Sequence, residues 1–186
     1  MSAVPDRLLT SDEFIDWAMR QPSGRYELVA GRVVTMAPER TRHNLVKIAV
    51  LLALREGVNR AGLPCTIYTD GMTVVVDRQH SREPDAAVQC GDQPDPDALI
   101  LDAPLIVVEV VSPSTERDDT GAKLIEYFSV VSIQHYLIVN PEKRVVVHHR
   151  RDGNEIRTRI VGADGGDLRF DPPGFSVSAA ALLHER

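Results

Sequence analysis

The sequence predicts an α+β fold, a mixed sheet with a few helices laid against it. Three observations carry that expectation. Short runs rich in Val, Ile, Thr and Tyr recur along the chain, bounded by Gly, Pro, Asn and Asp. One long stretch, from about Thr41 to Asn59, keeps helical apolar spacing. The run Leu105-Ile106-Val107-Val108-Glu109-Val110-Val111 is apolar on successive residues, which marks a strand buried on both faces.

The elements follow in order. Ser11 to Met19 reads as a helix, with a cap at Thr10 or Ser11 and a stop at Pro22. Tyr26-Glu27-Leu28-Val29 and Arg32-Val33-Val34-Thr35-Met36 form a hairpin around Ala30-Gly31. In the long helix, Leu45, Ile48 and Leu52 join Val46, Ala49, Val50 and Ala53 in a wide apolar arc, expected to be core. Gly57 and Gly62 mark its fraying end and Pro64 closes it. Strands are expected at 65–68, 72–76, 85–88 and 105–111, with an acidic, proline-rich loop at 92–97. A shorter helix follows from about Thr120 to Val130, then strands at 133–139, 144–149 and 156–160. Pro172-Pro173-Gly174 reads as a loop and Ala179 to Leu183 as a short helix. No repeat or long linker divides the chain, so residues 1–186 are expected to form one domain.

Composition narrows the function classes. A net charge of −6 argues against a protein that coats nucleic acid by bulk electrostatics. It leaves room for a nuclease, whose acids are neutralised by a metal. A nucleic-acid groove would have to draw on Arg144, His148, His149, Arg150, Arg151, Arg157 and Arg159, which read more simply as the solvated face of a hairpin. No run approaches the ~18–20 apolar residues that cross a bilayer. Met1 to Arg7 lacks the apolar core of a signal peptide, so the cytoplasm is the expected compartment, with no membrane partner. Cys65 and Cys90 sit in no metal-finger spacing, and a disulfide framework is not expected.

The carboxylate inside the buried run needs an explanation, because an ionised acid there is costly unless paired or bound to a metal. Glu83-Pro84-Asp85 lies upstream, its proline favouring an extended start for the next strand. Lys123 lies 14 residues after Glu109, in the first turn of a helix, where a lysine opposes the macrodipole. Tyr127 shares its face. Two acids and a lysine are the parts of a metal-assisted phosphodiester hydrolase. The acids hold a divalent ion and the lysine steadies the charge that develops. All-oxygen donors favour Mg2+ or Mn2+. A buried Glu109–Lys123 pair with a purely structural role fits the same residues.

Tyr26-Glu27-Leu28-Val29-Ala30-Gly31, His43 at the head of the long helix, Glu83-Pro84-Asp85, Val107-Val108-Glu109-Val110-Val111-Ser112-Pro113-Ser114 and Lys123…Tyr127 together resemble the Uma-two family. That family lies within the PD-(D/E)xK restriction-endonuclease-like superfamily. The resemblance spans roughly residues 10 to 150 and implies a restriction-endonuclease-like core: a mixed sheet flanked by a long helix and a second, shorter one. It implies metal-ligating roles for Asp85 and Glu109, with Lys123 replacing the superfamily's lysine, whose usual place is taken here by Val111. Glu27 and His43 fall where the family carries a glutamate and a histidine. The implied activity is Mg2+- or Mn2+-dependent cleavage of DNA. The alternative is a silent nuclease fold that works as a nucleic-acid-binding or interaction module. Tyr136-Leu137 and Asn140-Pro141 depart from the family's aromatic-Trp pair and Asp-Pro turn. A homodimer is expected, since a double-strand cut uses two symmetric sites, with Val145, Val147, Ile156 and Ile160 as a candidate strip.

Overall fold

The computed structural model describes residues 4–111 and 120–183. In chain order the elements are α1 (Ser11–Ala18), β1 (Tyr26–Val29), β2 (Arg32–Thr35), α2 (Thr41–Arg60), β3 (Cys65–Thr69), β4 (Val74–Asp77), β5 (His80–Arg82), β6 (Ala86–Cys90) and β7 (Pro104–Val110). They continue with α3 (Thr120–Ser129), β8 (His135–Asn140), β9 (Val145–Asp152), β10 (Glu155–Gly162), β11 (Asp167–Phe170), β12 (Phe175–Ser178) and α4 (Ala179–Leu182). The α+β architecture matches the expectation, and the Ser112-Pro113-Ser114 part of the motif lies outside the described residues.

The central sheet has six strands in the order β10-β9-β8-β7-β6-β3. Its one parallel pair, β7 with β8, sets Glu109 beside Ile138. A parallel pair needs a crossover, and α3 lies on that connection. Alternation then splits β7 between two cores. Ile106, Val108 and Val110 pack toward α2 and the β11–β12 hairpin, while Val107 and Val111 join Tyr127, Phe128 and Tyr136 near α3. Glu109 belongs to the second face. A smaller sheet, β2-β1-β5-β4, brings Glu27 and Arg82 toward the same region.

Local chemistry explains the ends that matter. Thr10 and Glu13 form a reciprocal capping box at the start of α1. The β1–β2 turn places both Ala30 and Gly31 at positive φ, the geometry that matches strand twist.

Several expectations are corrected. Only half of the α2 arc is core: Val46, Val50, Ala53, Leu54 and Val58 are buried, whereas Leu45, Ile48 and Leu52 are exposed, because packing covers one side of the helix. Gly57 lies inside α2, where a Cβ would come 2.6 Å from the Phe175 ring; it is a close-approach residue and not a fraying end. The loop around Pro172–Gly174 joins two strands, β11 and β12, whose Leu168, Phe170, Phe175 and Val177 fill the core beneath α2. The short strand β5 also went unforeseen. Cys65 and Cys90, cross-strand partners in β3 and β6, form a disulfide, contrary to the expectation of none. The hairpin arginines and histidines do not make one solvated face. His148 and His149 are buried, and Arg151 donates to the Phe128, Val130 and Ile133 carbonyls.

Candidate active site

Asp85, Glu109, Lys123 and Glu27 are all buried, between 6% and 8% exposed. Asp85 immediately precedes Ala86, which pairs with Val108, so it lies alongside the end of β7. Its Oδ2 accepts the Val110 N–H at 2.7 Å. Glu109 faces α3, where Lys123 Nζ donates to Oε1 at 3.1 Å and the Tyr127 hydroxyl donates to the same oxygen at 2.6 Å. These bonds account for a lysine in the first turn of a helix: two acids hold it there, since Nζ also reaches Glu27 Oε1 at 3.3 Å. Glu27 in turn accepts from Arg82 at 2.8 Å, and Arg82 grips Glu126 of α3 through Nε and Nη2.

On the α2 side, His43 Nε2 lies 2.5 Å from the Val110 carbonyl and 3.6 Å from Asp85. One turn later Lys47 Nζ meets Asp85 at 3.2 Å, Glu39 at 2.7 Å and Asp70 at 2.5 Å. Arg25 bridges Glu39, Asp70 and Glu83. The structure therefore gathers all five sequence-expected residues into one network. Glu27 is as buried as Asp85, and the His43 side chain is partly exposed. A cavity of about 390 Å3 shares Arg25, Asp70 and Glu83 with the outer end of this network.

Lys47, Arg82, Glu39, Asp70 and Glu126 escaped the sequence reading. Lys47 could have been found by the argument applied to Glu109, because it interrupts the apolar line of Val46, Val50 and Leu54 on the buried side of α2. Glu126 likewise stands inside the apolar Leu124-Ile125-Glu126-Tyr127-Phe128, whereas Arg82, Glu39 and Asp70 have polar neighbours and give no such signal.

The electrostatics separate the two central acids. Burial pushes the Glu109 carboxyl up, Lys123 and Tyr127 pull it down, and the charges of Asp85 and Glu27 add to the rise, leaving it at about 7. Burial also acts on Asp85, but His43, Lys47 and the Val110 N–H outweigh it and hold that carboxyl below the usual range. His43 is raised to about 9: burial opposes its charge, and Asp85, the Val110 carbonyl and Glu39 more than compensate. Adjacent groups driven apart in this way are candidates for acid–base roles.

Among the described residues, the α2 side of the network sets four carboxylates (Glu39, Asp70, Glu83, Asp85) against three cations (Arg25, His43, Lys47). The α3 side sets three (Glu27, Glu109, Glu126) against two (Arg82, Lys123). The formal excess is two negative charges. This donor set suits a hard divalent cation: the acids offer only oxygen, and such an ion would cancel their formal excess. Glu39, His43 and Asp85 also place one ligand atom each within 4.8 Å of one another.

Known proteins resemble this chain in sequence and in fold. A family model, Uma2, described as "putative restriction endonuclease", matches residues 11–180. The uncharacterized protein slr1290 of Synechocystis sp. is 25% identical over 155 residues, covering 82% of this chain and 80% of that protein. A crystal structure from Anabaena variabilis, titled a "putative nuclease belonging to DUF820", superposes with a TM-score of 0.74 at 16% identity. That match covers 94% of this chain and 97% of the other, and it establishes the fold.

Proposed function

This chain belongs to the Uma2 family, and we propose that it is a Mg2+- or Mn2+-dependent endonuclease that hydrolyses phosphodiester bonds in DNA. The observation that carries the reading is the convergence of Asp85, Glu109 and Lys123 in a buried network whose described acids outnumber its described cations by two. Asp85 and Glu109 would hold the ion. When bound, it supplies charge neutralisation and a water of lowered pKa.

The chain's own groups do the rest. The Lys123 ammonium, fixed by Glu27 and Glu109, is aimed to stabilise charge developing on the phosphate oxygens. Arg82 anchors Glu27 from behind, so that Lys123 has a fixed second partner. Tyr127 keeps Glu109 Oε1 in one orientation. His43, held protonated, orients Asp85 against the Val110 carbonyl and adds positive charge near the scissile group. The active species is a homodimer. Ile156 and Ile160 are exposed on β10, while Val147 beside Ile160 is half-buried, which leaves an apolar strip for a second copy.

The test is cleavage of supercoiled plasmid with Mg2+ or Mn2+, against EDTA. Cutting is expected only with metal, and Asp85→Asn should lose both metal binding and cleavage while keeping the wild-type circular dichroism spectrum. Undiminished cleavage by Asp85→Asn would remove the proposed chemistry. Metal binding without any cleavage would leave a silent nuclease fold.

A further inference from the structure

Lys47 stands in an arrangement that lysines seldom occupy. Its ammonium is held by three carboxylates from three separate places in the chain: Glu39 before α2, Asp70 after β3 and Asp85 before β6. Its side chain is 8% exposed. His43, one turn earlier on α2, completes the ring with Nδ1 at 3.3 Å from Glu39. Oxygens converging from three segments on one buried cation form the surroundings of a metal ion, with an ammonium at the centre.

Asp85 stands between α2 and β7. Its Oδ1 faces Lys47, and its Oδ2 takes the Val110 N–H on the side of β7. Two-metal phosphodiesterases place a carboxylate like this between ions about 4 Å apart. Here the α2 side of Asp85 already holds the Lys47 ammonium, bonded to three acids, while the Lys123 ammonium on the α3 side reaches Glu27 and Glu109.

We propose that the Lys47 ammonium occupies the position a second divalent cation would otherwise take, so that the site loads one metal ion per chain. This rests on the metallo-nuclease reading above. The charge count among the described residues supports it: with every acid ionised the network carries a formal excess of −2, which one divalent ion cancels and two would reverse. A second ion would also have to displace an ammonium bonded at 2.5 to 3.2 Å to three acids, or sit beside it against like-charge repulsion.

The experiment counts Mn2+ bound to the full-length chain, by calorimetry and by electron paramagnetic resonance of free Mn2+. Wild type is expected to bind one ion and Lys47→Met two, because removal of the ammonium frees Glu39, Asp70 and Asp85 to serve as ligands. Lys47→Arg keeps the cation and should bind one, which guards against Lys47→Met failing to fold. Two ions in wild type, or no gain in folded Lys47→Met, would overturn the assignment. A wild type that binds none ends the metallo-nuclease reading, whereas a gain of one ion in Lys47→Met would still support the place assigned to Lys47.

Discussion

Glu109→Gln separates a functional acid from a structural ion pair. The Glu109 carboxyl sits at about 7 in the folded chain against an ordinary 4.5, first because it is buried and then because Asp85 and Glu27 face it. The folded chain therefore binds more protons than the unfolded one between those values. Stability from this group is intact below pH 4.5 and is lost as pH rises through 7. A shift of that size corresponds to roughly 3 kcal/mol at full ionisation. Glutamine removes the charge and keeps an oxygen for Tyr127, while Lys123 retains Glu27 as its partner. Allowing for the lost attraction to Lys123, the variant should be more stable by ~1–2 kcal/mol at pH 8.5, with the gain vanishing near pH 4.5. Guanidinium unfolding of both proteins in EDTA at the two pH values measures the difference, and the plasmid assay should show cleavage abolished. A variant less stable than wild type at pH 8.5 would refute the reasoning, because Glu109 would then be a net-stabilising partner of Lys123.

Two further outcomes follow from the cores. The buried pair His135 and His148, 2.9 Å apart, is pushed down to about 4 and about 3 by burial first. The unfolded chain takes up protons below pH 6.5 that the folded chain refuses, so stability falls as pH falls through that window. Between pH 7 and pH 5, His148→Gln should lose less stability than wild type by roughly 2 kcal/mol in urea titrations, and parallel losses would contradict this. Gly57→Ala should destabilise by ~1 kcal/mol in thermal melts although alanine favours helix, since its methyl meets the Phe175 ring; a raised melting temperature would show that β12 yields at no cost.

What was legible in the sequence is what local chemistry decides. The capped α1, the Ala30-Gly31 turn and the doubly buried β7 follow from residue type and spacing. So does the joint placement of Lys123 and Tyr127, four residues apart on one helix face and both bonded to Glu109. What depends on which layer covers which face was not legible. The two apolar sets of α2 have the same period, and it is the central sheet together with the β11–β12 hairpin and α4 that buries Val50 and leaves Ile48 exposed. Leu168, Phe170, Phe175 and Val177 alternate in strand fashion, but proline and glycine between them masked the pattern. The meeting of Asp85 with His43 and Lys47 depends on α2 crossing the sheet beside β6 and β7, which no sequence spacing states. Arg151 looks like a surface charge, yet it satisfies three carbonyls around the end of α3.

A purely structural role for the buried charges predicts a different balance. Burying an ion pair is near neutral at best, and stability favours matched charges with every lone pair satisfied. On the α3 side Arg82 does this well: it pairs with Glu27 and Glu126 and ties β1, β5 and α3 together. Glu109 does not fit that logic. Lys123 is already shared with Glu27, so Glu109 adds an acid where, among the described residues, acids outnumber cations; burial first, and then the charges of Asp85 and Glu27, raise its carboxyl to about 7. The packing around β7 is extensive on both faces, with Val107 and Val108 fully buried, and can offset a local cost of a few kcal/mol. The fold thus carries at Glu109 a strain that an apolar residue would remove, and the excess charge behind it is what a divalent cation requires.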